Sequence, residues 1–157
     1  MRIVGLDPGL QLTGYGVIDF NPGRPRLVDA GVIRLNSKKT VSERLLELER
    51  ELEEILKEHS PEVVAIEQLY SHYAHPRTAI IMGHARGVLM LVCQRRSLRV
   101  REFPANRIKK NLTGNGHASK LQMQRAVQML WNLPELPHPP DVADALAIAL
   151  CCGRSSG

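Results

Sequence analysis

Four acidic residues stand where apolar segments of this sequence begin or end: Asp7, Glu67, Asp141 and Asp144. The first two follow the apolar runs IVGL and VVAI, and the last two open the stretch DVADALAIAL. Carboxylates that converge in space repel one another unless cations neutralise them, and Mg²⁺ and Mn²⁺ prefer such oxygen ligands. Two of these ions about 4 Å apart activate a water and stabilise the leaving oxygen in phosphodiester cleavage. The four residues therefore suggest a two-metal site.

Each carboxylate also has a purely structural interpretation. Pro139-Pro140-Asp141 is typical of a helix start, because aspartate is a favoured N-cap and acids in the first turn suit the helix dipole. Asp7 begins Asp-Pro-Gly, a common turn triplet, and Glu67 fits a solvated strand end. These explanations are independent of one another, whereas a metal site accounts for all four residues together.

The elements that position these side chains can be predicted from turns, caps and hydrophobic periodicity. Strands are predicted over residues 3–6, 13–20, 27–35, 63–66 and 98–103. Helices are predicted from the capping box at Thr40 to before Pro61, over about 76–94, over 105–112 and 119–131, and from Asp141. Because turns link the first three strands, we expect them to be antiparallel. The order predicts a single α/β domain, residues 1–157, with a mixed sheet flanked by helices.

This arrangement allows the carboxylates to meet. If the strands before Asp7 and Glu67 are parallel neighbours, both side chains emerge on the same rim, where open α/β sheets place their sites. Asp141 and Asp144 are three residues apart and share a helix face. The helix can therefore present two further carboxylates to the rim.

Composition limits the class of protein. The 157 residues are 43% apolar, which is ordinary for one globular domain. No apolar run reaches the roughly 18 residues of a membrane span, and the start of the sequence has no signal-peptide pattern. Three cysteines, two of them adjacent, make neither a disulfide framework nor a zinc site, so we expect a cytoplasmic protein.

Charge is distributed unevenly along the chain. Residues 43–58 contain seven acids and three bases, a balance of −4, whereas residues 95–125 contain nine bases and one acid, a balance of +8. A basic stretch of this density indicates a surface that binds phosphate groups. It is also explained as a solvated face without a partner.

Five motifs occur in an order that resembles one known family: IVGLDPG with TGYGVI, VVAIEQLY, GHARGV, IKKNLTGNGHASK and DVADALAIA. From Arg2 to about Leu150 the chain resembles the RuvC family of Holliday-junction resolvases. The resemblance implies a ribonuclease-H-like fold with a five-stranded sheet, and a homodimer that cuts four-way DNA junctions symmetrically with Mg²⁺ or Mn²⁺ in recombination and repair. It also implies that the four carboxylates are the catalytic, metal-binding residues. We expect 5′-phosphate and 3′-hydroxyl ends, and the resemblance alone implies a branch-migration partner.

The resemblance also implies DNA-contacting residues. Lys109 and Lys120 are similar to the basic residues that the family has near the cleaved strand, where a lysine stabilises charge on the phosphate. Tyr70 stands where the family often has an aromatic wedge against junction bases; tyrosine departs from the usual phenylalanine, and Tyr73 is a rival. Two further residues follow the Asp7 turn and are candidates for contact with the DNA backbone: Thr13 and Gly14.

Two weaker features remain open. Gly83 and Gly87 lie on one face of a predicted helix, where they allow close approach either of another part of the chain or, as in the family, of a second subunit. His138 precedes Asp141 closely in sequence, but we do not expect it to bind metal, because no histidine has metal-ligand spacing.

Three other functions fit parts of the sequence. One is a ribonuclease-H-like nuclease that cuts other branched DNA or RNA–DNA hybrids. Another is an actin-like ATPase or sugar kinase, suggested by GLDPG, although 157 residues leave no room for the second domain that those proteins need. The third is a DNA-binding module without catalysis, whose carboxylates serve as caps.

Overall fold

A computed structural model describes residues 1–69 and 76–155 of the chain. Its sheet has five strands: β1 (Arg2–Asp7), β2 (Leu12–Asp19), β3 (Arg26–Arg34), β4 (Val63–Glu67) and β5 (Arg99–Phe103). Their spatial order is β3-β2-β1-β4-β5. The first three strands pair antiparallel, whereas β4 is parallel to both β1 and β5. The mixed sheet predicted from the sequence is confirmed.

Five helices cover the sheet in the described part of the chain: α1 (Val41–His59), α2 (Pro76–Arg95), α3 (Ala105–Thr113), α4 (Lys120–Trp131) and α5 (Pro140–Arg154). Thr40 caps α1 through the predicted capping box with Glu43, and Ser119 with Gln122 caps α4 in the same way. None of the described helices combines the length and apolar character needed to cross a bilayer.

The two faces of the sheet carry separate cores. Because side chains alternate along a strand, Ile3 of β1 faces the core that contains α5, and its neighbour Val4 faces the core that contains α1 and α2. In β4, Ala65 and Ile66 divide between the two cores in the same way. The three-layer arrangement follows from this alternation, since each face buries its own apolar row.

Three glycines bring α5 unusually close to the sheet. A Cβ atom at Gly5 would overlap the backbone oxygen of Ala145, and one at Gly14 would overlap the backbone of Asp141. At Gly16 it would lie 2.7 Å from the Leu146 side chain. Gly5 pairs with Gly16 across β1 and β2, and Gly14 pairs with Asp7. The main chain of α5 therefore packs directly on the main chain of these two strands.

Two sequence interpretations are wrong. Asp141 is not the N-cap of α5, because the helix begins at Pro140 and its N-cap, Pro139, has no side-chain cap bond. The glycines of α2 do not admit another part of the described chain, because no described atom lies within 4 Å of a Cβ built at Gly83 or Gly87. Most other predicted element ends agree with the structure within one or two residues.

The packing of α5 makes the first prediction. Gly5→Ala should lower the free energy of unfolding by about 3 kcal/mol, because its Cβ meets backbone atoms that cannot rotate away. Gly116→Ala is the control: the nearest described atom to its Cβ, the Asn106 carbonyl oxygen, is 3.2 Å away, so a shift of a few tenths of an ångström in a surface loop accommodates the methyl group. Urea denaturation at one protein concentration measures both changes. Equal stability of Gly5→Ala and the parent would show that α5 can move away from the sheet.

Candidate active site

Asp7 and Glu67 emerge side by side at one rim of the sheet. Their strands, β1 and β4, are parallel neighbours in which Leu6 pairs with Ile66. Those two side chains are buried against α1 and α2, so the residues that follow them point to the opposite face, towards α5. Adjacent strands lie about 4.8 Å apart. The two carboxylates therefore occupy neighbouring positions on the side of the sheet that α5 covers.

The first turns of α5 lie over the same rim. Gly14 is the β2 partner of Asp7, and the main chain of Asp141 rests on it. Asp144 follows three residues later on the same helix face. All four carboxylates are partly exposed. The structure thus brings the four predicted residues to one place that solvent and ions can reach.

The pKa values of these groups show that they interact. Burial, followed by the charges of Asp144, Glu67 and Asp141, raises the pKa of Asp7 to about 8, while Lys120 acts in the opposite direction. Burial and the charge of Asp144 also raise the pKa of Glu67. Repulsion among carboxylates that share a site has this effect, because ionising one disfavours ionising the next.

The two predicted lysines lie close enough to offset part of this repulsion. Lys120 lowers the pKa of Asp7, and Lys109 lowers that of Glu67. Both lower the pKa of Asp144, although burial still raises it overall. Lys109 belongs to α3, and Lys120 is the first residue of α4, directly after the Ser119 cap. Each lysine is thus held beside the carboxylates by a helix that packs against α5.

The donor set fits a hard cation, although the side chains do not enclose one. In residues 1–69 and 76–155, no group of three or more His, Cys, Asp or Glu side chains forms a ready-made metal site. Four carboxylates at one rim, of which Asp7, Glu67 and Asp144 have raised pKa values, are nevertheless the ligands that Mg²⁺ and Mn²⁺ prefer. A cation here would relieve the repulsion that the lysines only partly offset.

The structure gives different results for the predicted DNA-contacting residues and for His138. Thr13 is fully buried, and its hydroxyl donates to the Gly9 carbonyl at 2.7 Å and accepts from the Gly9 amide at 3.1 Å. Gly14 is buried beneath α5. The structure therefore does not support the predicted DNA contacts of Thr13 and Gly14, since their atoms serve internal packing. His138 is exposed, and Tyr70 and Tyr73 lie outside the described residues.

The basic surface includes fewer residues than the basic stretch over residues 95–125 suggests. Arg95 and Arg96 form ion pairs with Glu49 and Glu53 of α1, so these two bases contribute to the contact between α1 and α2. A polar groove of about 810 Å³ lies where α3 meets the loop before α4, and its lining includes Arg107, Lys110 and His117. The groove is lined by the helix that carries Lys109 and by the loop that leads to Lys120, so its positive charge stands on the same elements as the two lysines.

Arg86 is a site residue that sequence reasoning missed. It belongs to the GHARGV motif, but that motif alone assigns no role to its arginine. Arg86 lies with Asp7 and Glu67 around a small cavity of about 30 Å³ between the rim and α2. The sequence feature that could have identified it is a charged residue on the apolar side of a helix. Arg86 follows Ala85 and lies about one helical turn before Leu89, and both of these residues are buried.

Comparisons with known proteins agree with this geometry. A family model described as "Crossover junction endodeoxyribonuclease RuvC" matches residues 3–152. A protein of that description from Rhodopirellula baltica is 49% identical over 149 residues, covering 95% of this chain and 84% of its own. One from Caldicellulosiruptor saccharolyticus is 44% identical over 96% of this chain and 91% of its own. A solved structure of "T. thermophilus RuvC in complex with Holliday junction substrate" superposes with a TM-score of 0.89 at 30% identity, over 96% and 92% of the two chains.

The raised pKa of Asp7 predicts a pH-dependent stability. Its folded-state pKa of about 8 exceeds the ordinary 3.8, so the folded protein binds more protons between these values and its free energy of unfolding falls as pH rises through them. In the presence of a metal chelator, we expect the free energy of unfolding to fall between pH 5 and 8 by at least about 1 kcal/mol more in the parent than in Asp7→Asn. Urea denaturation measures this, with exposed Glu135→Gln as control. Parallel curves for parent and Asp7→Asn would refute the assignment.

Proposed function

This chain belongs to the RuvC family of crossover junction endodeoxyribonucleases and is a Holliday-junction resolvase, and we propose that Asp7, Glu67, Asp141 and Asp144 carry its reaction by binding divalent metal. The observation that supports this most strongly is the electrostatic coupling of these carboxylates at one rim of the sheet. A structural site would not collect like charges without a cation to neutralise them.

We propose Mg²⁺, with Mn²⁺ able to replace it, at two ions per site. When bound, such ions activate a water and stabilise the leaving oxygen of a phosphodiester. The chain supplies the geometry: β1 and β4 fix Asp7 and Glu67, and the α5 contact with Gly14 fixes Asp141. Asp7 must lose its proton before it can bind a cation, because its pKa is about 8 in the free protein. The expected products carry 5′-phosphate and 3′-hydroxyl ends.

Lys109 and Lys120 are proposed to contact the phosphate that is cut. Their influence on the carboxylate pKa values supports this role, because an ammonium group lowers the pKa of Glu67 or Asp144 only when it lies nearby. There they attract the negatively charged strand and stabilise charge that builds on the phosphate. The groove lined by Arg107 and Lys110 is proposed to continue the path of the backbone. Tyr70 remains the proposed wedge against junction bases, with Tyr73 as the alternative.

A homodimer is proposed to form through the outer face of α2. This face carries a stripe at helical spacing that includes Ile80, Gly83, Gly87 and Leu91, of which Ile80 is 60% and Leu91 49% exposed. No described atom lies within 4 Å of a Cβ at either glycine, so a second helix has room to approach closely. Two symmetric cuts also require two sites related by a two-fold axis.

The alternatives make different predictions about substrates. Another ribonuclease-H-like nuclease would cut linear duplex or an RNA–DNA hybrid as well as a junction, whereas a DNA-binding module would bind the junction without cutting it. The raised carboxylate pKa values favour catalysis over capping, and Asp141 makes no cap bond. We further propose a single domain over residues 1–157, a cytoplasmic location and a branch-migration partner, the last supported by family resemblance alone.

Removing one carboxylate should separate cleavage from binding. Asp144→Asn and Glu67→Gln should each slow cleavage of a four-way junction in Mg²⁺ by roughly 10³-fold, because metal-based charge stabilisation is worth several kcal/mol. Junction affinity should persist or increase, since a negative charge near phosphate is lost. Single-turnover gel assays and electrophoretic mobility shifts measure the two quantities. The control is exposed Glu135→Gln, and parent-like cleavage by Asp144→Asn would exclude the proposed site.

Charges on the outer face of α2 should prevent dimer formation. Combining Ile80→Glu with Leu91→Glu places like charges where two copies of the stripe would meet, so sedimentation at micromolar concentration should give a monomer for this variant and a dimer for the parent. Met129→Glu is the control, because Met129 is 82% exposed on α4, away from the stripe. If the double variant sediments as a dimer, the two-fold contact lies elsewhere.

A further inference from the structure

Arg86 is buried although it carries a charge. Only 8% of the residue is exposed, and it is the one buried arginine among the described residues. A guanidinium taken out of water is costly unless its donors are satisfied. Its position on the inner side of α2, among apolar residues, therefore requires an explanation in its partners.

Those partners lie at the ends of two neighbouring strands. Nη1 of Arg86 donates to the main-chain carbonyl of Glu67 at 2.5 Å, and Nη2 lies 2.6 Å from Oε2 of Glu102. Glu67 is the last residue of β4, and Glu102 is the last but one of β5. The Gln68 amide continues the pairing by donating to the Phe103 carbonyl at 2.9 Å. Arg86 thus joins β4 and β5 at the end of β4, where the Glu67 carboxylate emerges.

Arg86 approaches the end of β4 from the face of the sheet opposite the Glu67 carboxylate. Its helix packs on the face of the sheet opposite α5, whereas the Glu67 side chain projects towards α5. The guanidinium binds the main-chain carbonyl, so it leaves the carboxylate oxygens available. Its charge also acts on the carboxylate and lowers its pKa, against the larger effect of burial.

We propose that Arg86 is a positioning residue that fixes the Glu67 carboxylate for cation binding by holding the end of β4 against β5. This role rests on the proposed metal-binding function of Glu67. A planar fork can hold a carbonyl and a carboxylate at once, whereas an ammonium is a single point charge on a flexible stem. The geometry of the fork, and not its charge alone, is therefore what the site requires.

Mn²⁺ binding to the full chain without DNA tests this role, with titration followed by electron paramagnetic resonance. Arg86→Gln should weaken Mn²⁺ binding about 10-fold, as loss of a group that orients a metal ligand does. Glu67→Gln should also weaken it. The double variant should bind no more weakly than Glu67→Gln alone, because a residue that acts through Glu67 has nothing left to position. Arg95→Gln, which breaks an exposed ion pair on the same helix, should change nothing.

The outcomes separate this role from the function on which it rests. Parent-like Mn²⁺ binding by Glu67→Gln would overturn the metal assignment, and Arg86 would lose its role with it. An equal loss from Arg86→Gln in both backgrounds, or no loss in either, would overturn the positioning role alone. If Arg86→Gln does not fold, Arg86→Lys decides: we expect a several-fold loss of Mn²⁺ affinity with an unchanged circular dichroism spectrum, and parent-like affinity would overturn the proposal.

Discussion

The close contact between α5 and the first two strands is the constraint on which the site depends. Gly5, Gly14 and Gly16 present no side chains, so the main chain of α5 rests on the main chain of the sheet. This contact sets the height of the helix above the rim and places Asp141 over the β2 partner of Asp7. A larger residue at any of the three positions would lift α5, and both of its aspartates would leave the rim together.

The closeness that assembles the site also makes it electrostatically unfavourable. Burial and neighbouring carboxylates raise the pKa of Asp7 to about 8, so in the free protein this group holds its proton at neutral pH. Apolar residues of similar volume would stabilise the fold better than this cluster of partly buried carboxylates. The cluster is therefore explained by what it binds, and the repulsion among its members is the free energy that a bound cation recovers.

The sequence predicts the positions of Asp7 and Glu67 well, because the alternation of side chains along a strand and the parallel pairing of β1 with β4 determine where both carboxylates emerge. It predicts other features poorly, and the reasons are specific. Two consecutive prolines moved the start of α5 to Pro140, which left Asp141 inside the helix without a cap bond. A glycine in a strand indicates close approach but does not identify the partner, so the role of Gly14 beneath Asp141 could not be foreseen. The pairing of Arg95 with α1 and of Arg86 with two strand ends depends on tertiary contacts that no local pattern contains.

Cations reach the rim from both sides of the sheet, and their chemistry differs by side. On the α5 side, Lys109 and Lys120 end in mobile point charges, which suit a phosphate whose charge changes during the reaction. On the α2 side, the rigid fork of Arg86 holds the main-chain carbonyl of Glu67 and the carboxylate of Glu102. The next residue, Gly87, belongs to the outer face proposed to contact a second subunit. If that contact forms, one helix both relates the two sites of the dimer and fixes a carboxylate in each, so the same element that sets the spacing of the two cuts also sets the geometry of each cut.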